Sequence, residues 1–553
     1  MRKSSLLLAL LVAALPWPAL ARPPSRVTIT LVGTSDLHGR LAALPWFAGF
    51  LKNLRAARAR DGGAVILLDA GDLFQGTLES NLAEGAPVVA AYNALGYTAA
   101  TLGNHEFDFG PVGPSPSPAA PGDDPRGALK ARAAQASFPF LVANVVEAKT
   151  RRPVRWPNLR PSLLVEVAGI KLGLVGVVTA TTDRTSLPAN VAGLAFLPLA
   201  PAIAREARSL RARGAKVVVA LAHEGGACQS FAAADGLASC ERGSAIFGVA
   251  QKLPPGAVDA IVAGHTHQAI AHRVAAIPII QAYANGRAFG RIDLTLDRTR
   301  GRVLASRIEP PHDICPSGAL AACAPGEYEG APVVADLEIA ALIAPALAEA
   351  RRKGQERLGV EIVRPLPHRR DEETALGNLL ADLMRQARPG SDVAVLNGGG
   401  MRAGLPAGPL TYGSLYETFP FDNVFASLRM SAGDFRCRLA SSLSHAHSLI
   451  SLSGILVRAR CQGDSSDVTI SRPDGSPIPD RELLAITTTD FLATGGDGFF
   501  ADAEATIENG PQIREAMAEA LRQRGGAINP DQLLDANRPR FDLPGPIPIR
   551  CQQ

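Results

Sequence analysis

Three absences narrow the reading of this 553-residue chain before any motif does. The first is charge of one sign: the formal net charge is +4, with 20% charged residues. That is far from the basic stripe a nucleic-acid binder needs, so no nucleic-acid polymer is expected as a partner. The second is the CxxC pattern. The seven cysteines stand at positions 228, 240, 315, 323, 437, 461 and 551, and none of these spacings makes a thiolate metal site or a dithiol redox motif. The third is an internal apolar run of the roughly 20 residues needed to cross a bilayer. No membrane span is expected in the mature protein. A short internal repeat is absent too.

The N-terminus reads as an address. MRKSS supplies positive charge, LLLALLVAAL is a short apolar core broken by Pro16 and Pro18, and Ala19-Leu20-Ala21 is a small-x-small cleavage signal. Residues 1–21 are therefore expected to be removed on export, to the periplasm or outside the cell. Export permits disulfides. Three cysteine pairs lie close in sequence, 228/240, 315/323 and 437/461, which leaves Cys551 odd in a tail.

From Val27 to about Leu296, apolar runs alternate with Ala/Arg-rich stretches. VTITLVG, AVILLDAG, KLGLVGVV, KVVVALAH and DAIVAGHTH are examples. Runs with no polar face suit strands covered on both sides by other layers. Residues 111–125 form a Pro/Gly/Ser-rich insertion and 314–332 a second loop-rich boundary. Residues 333–354 read as one helix with a basic end, closed by Gly354 and kinked by Pro345, linking two domains. A second α/β pattern runs from Val360 to about Leu543.

The chemistry stands at the ends of the apolar runs. The first run ends in Asp36 and His38, the second in Asp72, and TLGNHEFDFG delivers Asn104, His105 and Asp108. Two later runs end in His223 and in His265 with His267. Each alone has a bland explanation: Asp72 caps a helix, His223 is a core histidine, His265 and His267 are inert loop residues. Five runs ending alike is a different matter, because ligands bind outside the carboxyl ends of strands in α/β sheets. Two carboxylates, one amide oxygen and four imidazoles give enough donors for two metal ions. With Asp72 shared, one ion takes Asp36, His38, Asp72 and His267, and the other takes Asp72, Asn104, His223 and His265. Mixed nitrogen and oxygen donors suit Zn²⁺ or Mn²⁺ better than Ca²⁺. Two divalent ions against two carboxylates leave a positive surplus that attracts an oxyanion, and ions about 3.5–4 Å apart clamp an in-line displacement. Phosphate-ester hydrolysis fits. His105 is placed to protonate the leaving oxygen and Asp108 to orient it, as catalytic residues. Glu106 reads as structural.

DLHG, GD, GNHEFD, AHEGG and GHTH, in this order, resemble the calcineurin-like metallophosphoesterases. ALGNLLADLMR, LNGGGMR, FPFDNV and DFLATGGDGF resemble the C-terminal domain of the 5′-nucleotidase family, which includes periplasmic UDP-sugar hydrolases. The resemblance implies an α/β fold in two domains. An N-terminal β-sandwich flanked by helices spans 26–325, a linker helix 333–354, and a second α/β domain that binds substrate 356–545. It places the metal ligands and the His105–Asp108 pair on the residues already named. It places the substrate site on Arg370, Asn397, Arg402, Phe421, Asn423, Phe491 and Asp497. The two arginines suit phosphate or carboxylate, and the two phenylalanines suit a flat base between them. An arginine that some relatives carry four residues before Arg370 is Leu366 here, which implies a weaker hold on diphosphates.

The implied activity is hydrolysis of nucleoside 5′-monophosphates to nucleoside and phosphate, with UDP-sugars and nucleotide diphosphates as further substrates. Other readings of the same fold are a 2′,3′-cyclic-nucleotide phosphodiesterase with 3′-nucleotidase activity, a thiosulfohydrolase-like relative, and a nucleotide-binding protein without turnover. A monomer or weak oligomer is expected.

Overall fold

Strand Val217–His223 is VVVALAH, and every residue in it is buried. Such a strand is stable only inside a sheet covered on both faces. It lies between Ile170–Val178 and Ala260–Ala263, parallel to both, in a six-stranded sheet. The structure, a computed structural model, describes residues 26–551 except 114, 119, 319, 446, 447, 463, 464 and 536. The expected export signal, 1–21, lies outside the described residues.

A seven-stranded sheet faces the first. Its strands Arg26–Thr34, Ala64–Asp69 and Ala99–Thr101 run parallel to one another. The two sheets share an apolar layer, with Ile29, Leu31, Ile66 and Leu68 from one and Leu174, Val219, Leu221 and Val262 from the other. Burying each such side chain contributes about 1.5–3 kcal/mol, so register here is firmly set. Helices Leu44–Arg60 and Ala86–Leu95 pack on the outer face of the seven-stranded sheet. Leu199–Ala212 and Ala245–Lys252 pack on the outer face of the other. The result is four layers, helix–sheet–sheet–helix.

The linker helix is Leu337–Gly354 rather than 333–354. Asp336 explains the later start: its side chain accepts from the backbone N–H groups of Glu338 and Ile339, an N-cap that ends the preceding extended segment. Pro345 is accommodated inside the helix, and Arg351, Arg352 and Lys353 occupy its last turn, where positive charge complements the helix dipole. Ile339 and Ile343 belong to the core of the N-terminal half, whereas Ala350 belongs to a core of the C-terminal half. At its end Gly354 meets Gly413: a Cβ on Gly413 would come within 3.0 Å of the Gly354 Cα and carbonyl oxygen. Backbones cross there with no room for a side chain.

The C-terminal half is built on a five-stranded mixed sheet. Helix Ala375–Ala387 buries Leu376, Leu379, Leu380, Leu383 and Met384, the spacing of one apolar helix face. Thr374 caps it by accepting from Gly377 N–H. This half and the sandwich together make the two-domain α/β architecture.

The cysteine pairing differs from the sequence expectation at one place. Cys228–Cys240 and Cys315–Cys323 are joined as expected, but Cys461 is joined to Cys551, and Cys437 is free and exposed. Short sequence separation misled because Cys437 lies on helix Ala432–His445 and Cys461 on strand Leu456–Gln462. That strand takes Phe541–Asp542 as a parallel neighbour, and Ile549 N–H is anchored on the Leu443 carbonyl. The tail therefore returns to the strand and brings Cys551 with it.

Candidate active site

The five strands that end in candidate ligands are divided between the two sheets, three in one and two in the other, and their carboxyl ends share one edge of the sandwich. Ligand atoms of Asp36, His38, Asp72 and His267 lie within 4.8 Å of one another, and so do those of Asp72, His223 and His265. Asp72 is common to both groups. Asn104 joins the second, its Oδ1 3.1 Å from His223 Nε2. The seven residues named from sequence thus lie together, in two groups that share Asp72.

The backbone is bent to reach this arrangement. Asp36, His38, Asp72, His265 and His267 all have positive φ, between 49° and 78°. That left-handed region is uncommon for residues other than glycine and carries strain that surrounding structure must hold. Part of the hold is Glu106. Its buried carboxylate accepts from the N–H groups of Asp72 at 2.9 Å, Leu73 at 2.7 Å and Gly103 at 2.6 Å. A Cβ on Gly103 would fall 2.1 Å from Asp72 Oδ1, so only glycine allows the two loops to meet.

The donor set fits divalent metal ions. His38 Nδ1 lies 2.8 Å from the Gln75 carbonyl, and His223 Nδ1 lies 2.8 Å from the Ala70 carbonyl. A carbonyl only accepts, so each Nδ1 carries a proton, and each Nε2 is left directed at the cluster. Such carbonyl partners are what fixes a ligating imidazole. His38 Nε2 then faces His267 Nε2 at 2.9 Å, and His265 Nδ1 faces His223 Nε2 at 3.2 Å. Burial opposes a proton on His223, but Asp72 and Asp36 outweigh it and push its pKa up to about 10. A field that holds a proton so strongly also attracts a cation.

His105 Nδ1 lies 2.6 Å from Asp108 Oδ2, and the His105 backbone N–H donates to Asp72 Oδ1 at 2.9 Å. Burial alone would lower the His105 pKa; Asp108 and Asp72 reverse this and raise it. Both side chains are about nine-tenths buried.

The expected substrate residues lie on the same cleft. A cavity of about 830 Å³ is lined by Asp72, Asn104, His105, Asp108, His265 and His267 from the N-terminal half. All seven of Arg370, Asn397, Arg402, Phe421, Asn423, Phe491 and Asp497 line it from the C-terminal half. Asp36, His38 and His223 sit beneath it, buried. Asn397 Nδ2 donates to Asp497 Oδ2 at 3.1 Å, and Asn423 Nδ2 donates to Asp490 Oδ1 at 2.8 Å. Phe421 lies 5.5 Å from the His105 ring and 5.8 Å from the Arg402 guanidinium. Burial and the charge of Arg370 lower the Arg402 pKa to about 10. An anion between the two guanidinium groups would relieve that repulsion. Leu366 is fully buried in the C-terminal core and pairs with Leu405.

Sequence reading gave Glu106 a structural role but not its partners, and it missed the carbonyl supports of the histidines. The Gln75 and Ala70 carbonyls act through backbone atoms that no residue type signals. Glu106 stood in plain view, but its three partners come from two separate loops.

The profile of the calcineurin-like phosphoesterases matches residues 29–269, and that of the 5′-nucleotidase C-terminal domain matches 356–503. Over 537 residues the chain is 26% identical to endonuclease YhcR of Bacillus subtilis, covering 90% of this chain but only 40% of that protein. Over 539 residues it is 26% identical to a 5′-nucleotidase of Diplobatis ommata, covering 85% of this chain and 83% of the relative. The structure of a 5′-nucleotidase precursor from Thermus thermophilus superposes with a TM-score of 0.70 at 24% identity, covering 93% of this chain and 99% of that one. The two profiles in this order show that the chain joins a calcineurin-like phosphoesterase domain to a 5′-nucleotidase C-terminal domain, and so belongs among the metal-dependent phosphoester hydrolases.

Proposed function

We propose that the protein is an exported hydrolase of nucleoside 5′-monophosphates, working with two divalent ions, zinc or manganese. The observation that carries this reading is the single cleft lined both by the Asp/His cluster and by the Arg402–Phe421–Phe491–Asp497 group. A phosphate at the cluster leaves the rest of a nucleotide in reach of the aromatic and polar residues.

Asp36, His38, Asp72 and His267 would hold one ion, and Asp72, Asn104, His223 and His265 the other. When bound, such ions neutralise phosphoryl oxygens and make water a nucleophile near neutral pH. The chain's own residues do the remainder. Arg402 and Arg370 bring positive charge to the phosphate. His105, with Nδ1–H given to Asp108, presents Nε2 to the leaving 5′-oxygen and delivers a proton there. Asp108 favours the imidazolium that this requires. Phe421 and Phe491 hold the base between flat faces, which gives affinity with little selectivity among bases. Asp497, held by Asn397, accepts from ribose hydroxyls. Leu366, packed into the core, offers no charge to a second phosphate, so monophosphates are preferred over diphosphates and UDP-sugars. The three disulfides support an oxidising compartment, and no described helix is long and apolar enough to cross a membrane.

The test is a substrate panel of AMP, UDP-glucose, 2′,3′-cyclic AMP and thiosulfate conjugates with metal-loaded protein. AMP should be cleaved fastest, activity should be lost on chelation, and zinc or manganese should restore it. Turnover of the thiosulfate conjugates with silence on every nucleotide would overturn the reading.

A further inference from the structure

The segment from Phe419 to Asn423 carries Phe421 into the cleft; Phe419, Pro420 and Asn423 are buried, but Phe421 and Asp422 between them are only partly so. Behind it lies a second cavity of about 440 Å³, lined in part by Tyr412, Tyr416, Asp422 and Arg514. A loop with open space on one side needs another constraint to keep an aromatic ring aimed at the other.

Arg514 supplies one. It is 3% exposed and stands at the start of helix Ile513–Arg524. Its Nη1 donates to the Phe419 carbonyl at 3.2 Å and the Phe421 carbonyl at 3.0 Å. Its Nη2 donates to Asp422 Oδ1 at 2.5 Å and Gln512 Oε1 at 2.9 Å. Nε lies 3.4 Å from the Tyr412 hydroxyl, and the guanidinium lies 4.0 Å from the centre of the Tyr416 ring. Every N–H of the fork has a partner, three of them on the loop. The carbonyl between the two bonded ones, that of Pro420, is left for the opposite domain. Gln75 Nε2 donates to it at 3.3 Å, and the Gln75 backbone carbonyl receives the Nδ1–H of His38.

We infer that Arg514 is a positioning residue for nucleotide binding: its guanidinium sets the loop so that Phe421 faces the base and the Pro420 carbonyl faces Gln75. Arg514 itself touches no substrate. The inference rests on the nucleotidase reading for its kinetic consequence but not for its structural one. A planar fork with five donors is needed; lysine at 514 keeps the charge but cannot reach three loop acceptors together.

The experiment compares Arg514→Met and Arg514→Lys with wild type in the metal-loaded full chain, using AMP and ribose 5-phosphate, which lacks a base. Arg514→Met should raise KM for AMP about tenfold with kcat within about threefold, and change kcat/KM for ribose 5-phosphate by less than about twofold. In a Phe421→Ala background the same change should add less than about threefold, because the ring it positions is already gone. Arg514→Lys should shift KM in the same direction by about fivefold, and it carries the test if Arg514→Met does not fold. Hydrogen exchange of the 419–423 segment should quicken in both variants. Equal losses on AMP and ribose 5-phosphate, full multiplication with Phe421→Ala, or unchanged exchange would each overturn the inference. If wild type cleaves neither compound, the nucleotidase reading falls, and the exchange measurement still decides what Arg514 does.

Discussion

The ring of Phe421 lies 5.5 Å from the ring of His105, centroid to centroid and tilted by 31°. One residue comes from the C-terminal half and the other from a loop at the edge of the sandwich. In this arrangement the proposed base clamp and the proposed proton donor border the same space, so binding and chemistry are open to separate tests.

His105→Ala removes the proton donor and leaves the base pocket in place. Turnover of AMP should fall by about 10²–10⁴-fold, the range for general acid catalysis. Affinity for AMP, read by calorimetry, should change by less than about threefold. A loss of affinity as large as the loss of turnover would assign His105 to binding.

Phe421→Ala should act the other way. Stacking of a base on an aromatic ring is worth about 1–3 kcal/mol, so KM for AMP should rise about 5–150-fold while kcat holds. Steady-state kinetics over a range of AMP concentrations reads this directly, and an unchanged KM would remove the stacking role.

Glu106→Gln keeps the shape and removes the charge that accepts three backbone N–H groups. Its amide must turn a donor toward donors. The loops carrying Asp72 and Asn104 should loosen, and zinc affinity should fall about 10–100-fold, as for other supports of ligating residues. Competition with a chromophoric chelator measures it. The wild-type value in the variant would mean that the loops hold their shape without this carboxylate.

The disulfide pairing predicts a mapping result. Non-reducing digestion should release a peptide joining Cys461 to Cys551, and the native protein should take up one equivalent of alkylating reagent, at exposed Cys437. A cross-link between Cys437 and Cys461 would restore the pairing suggested by short sequence separation.

Much of the site was legible because its donors follow apolar runs. Strands with no polar face, such as Val217–His223, announce a covered sheet, and the residue after such a strand stands at the sheet's edge. Asp36, Asp72, Asn104, His223 and His265 could be listed from that rule alone. Phe421 and Arg370 could not. A phenylalanine is more often core and an arginine in HRRDEE more often solvated, so only their motif context singled them out.

The amino-acid order by itself determined the strand-end donors, the amphipathic Ala375–Ala387 helix and the basic end of the linker helix, since each depends on neighbours within a few residues. Tertiary structure alone decided that Glu106 ties two loops together, that Cys461 meets Cys551, and that Arg514 holds the segment bearing Phe421. These contacts join residues far apart in the chain, and the chain's path through two facing sheets and a returning tail sets which distant groups come within hydrogen-bonding reach.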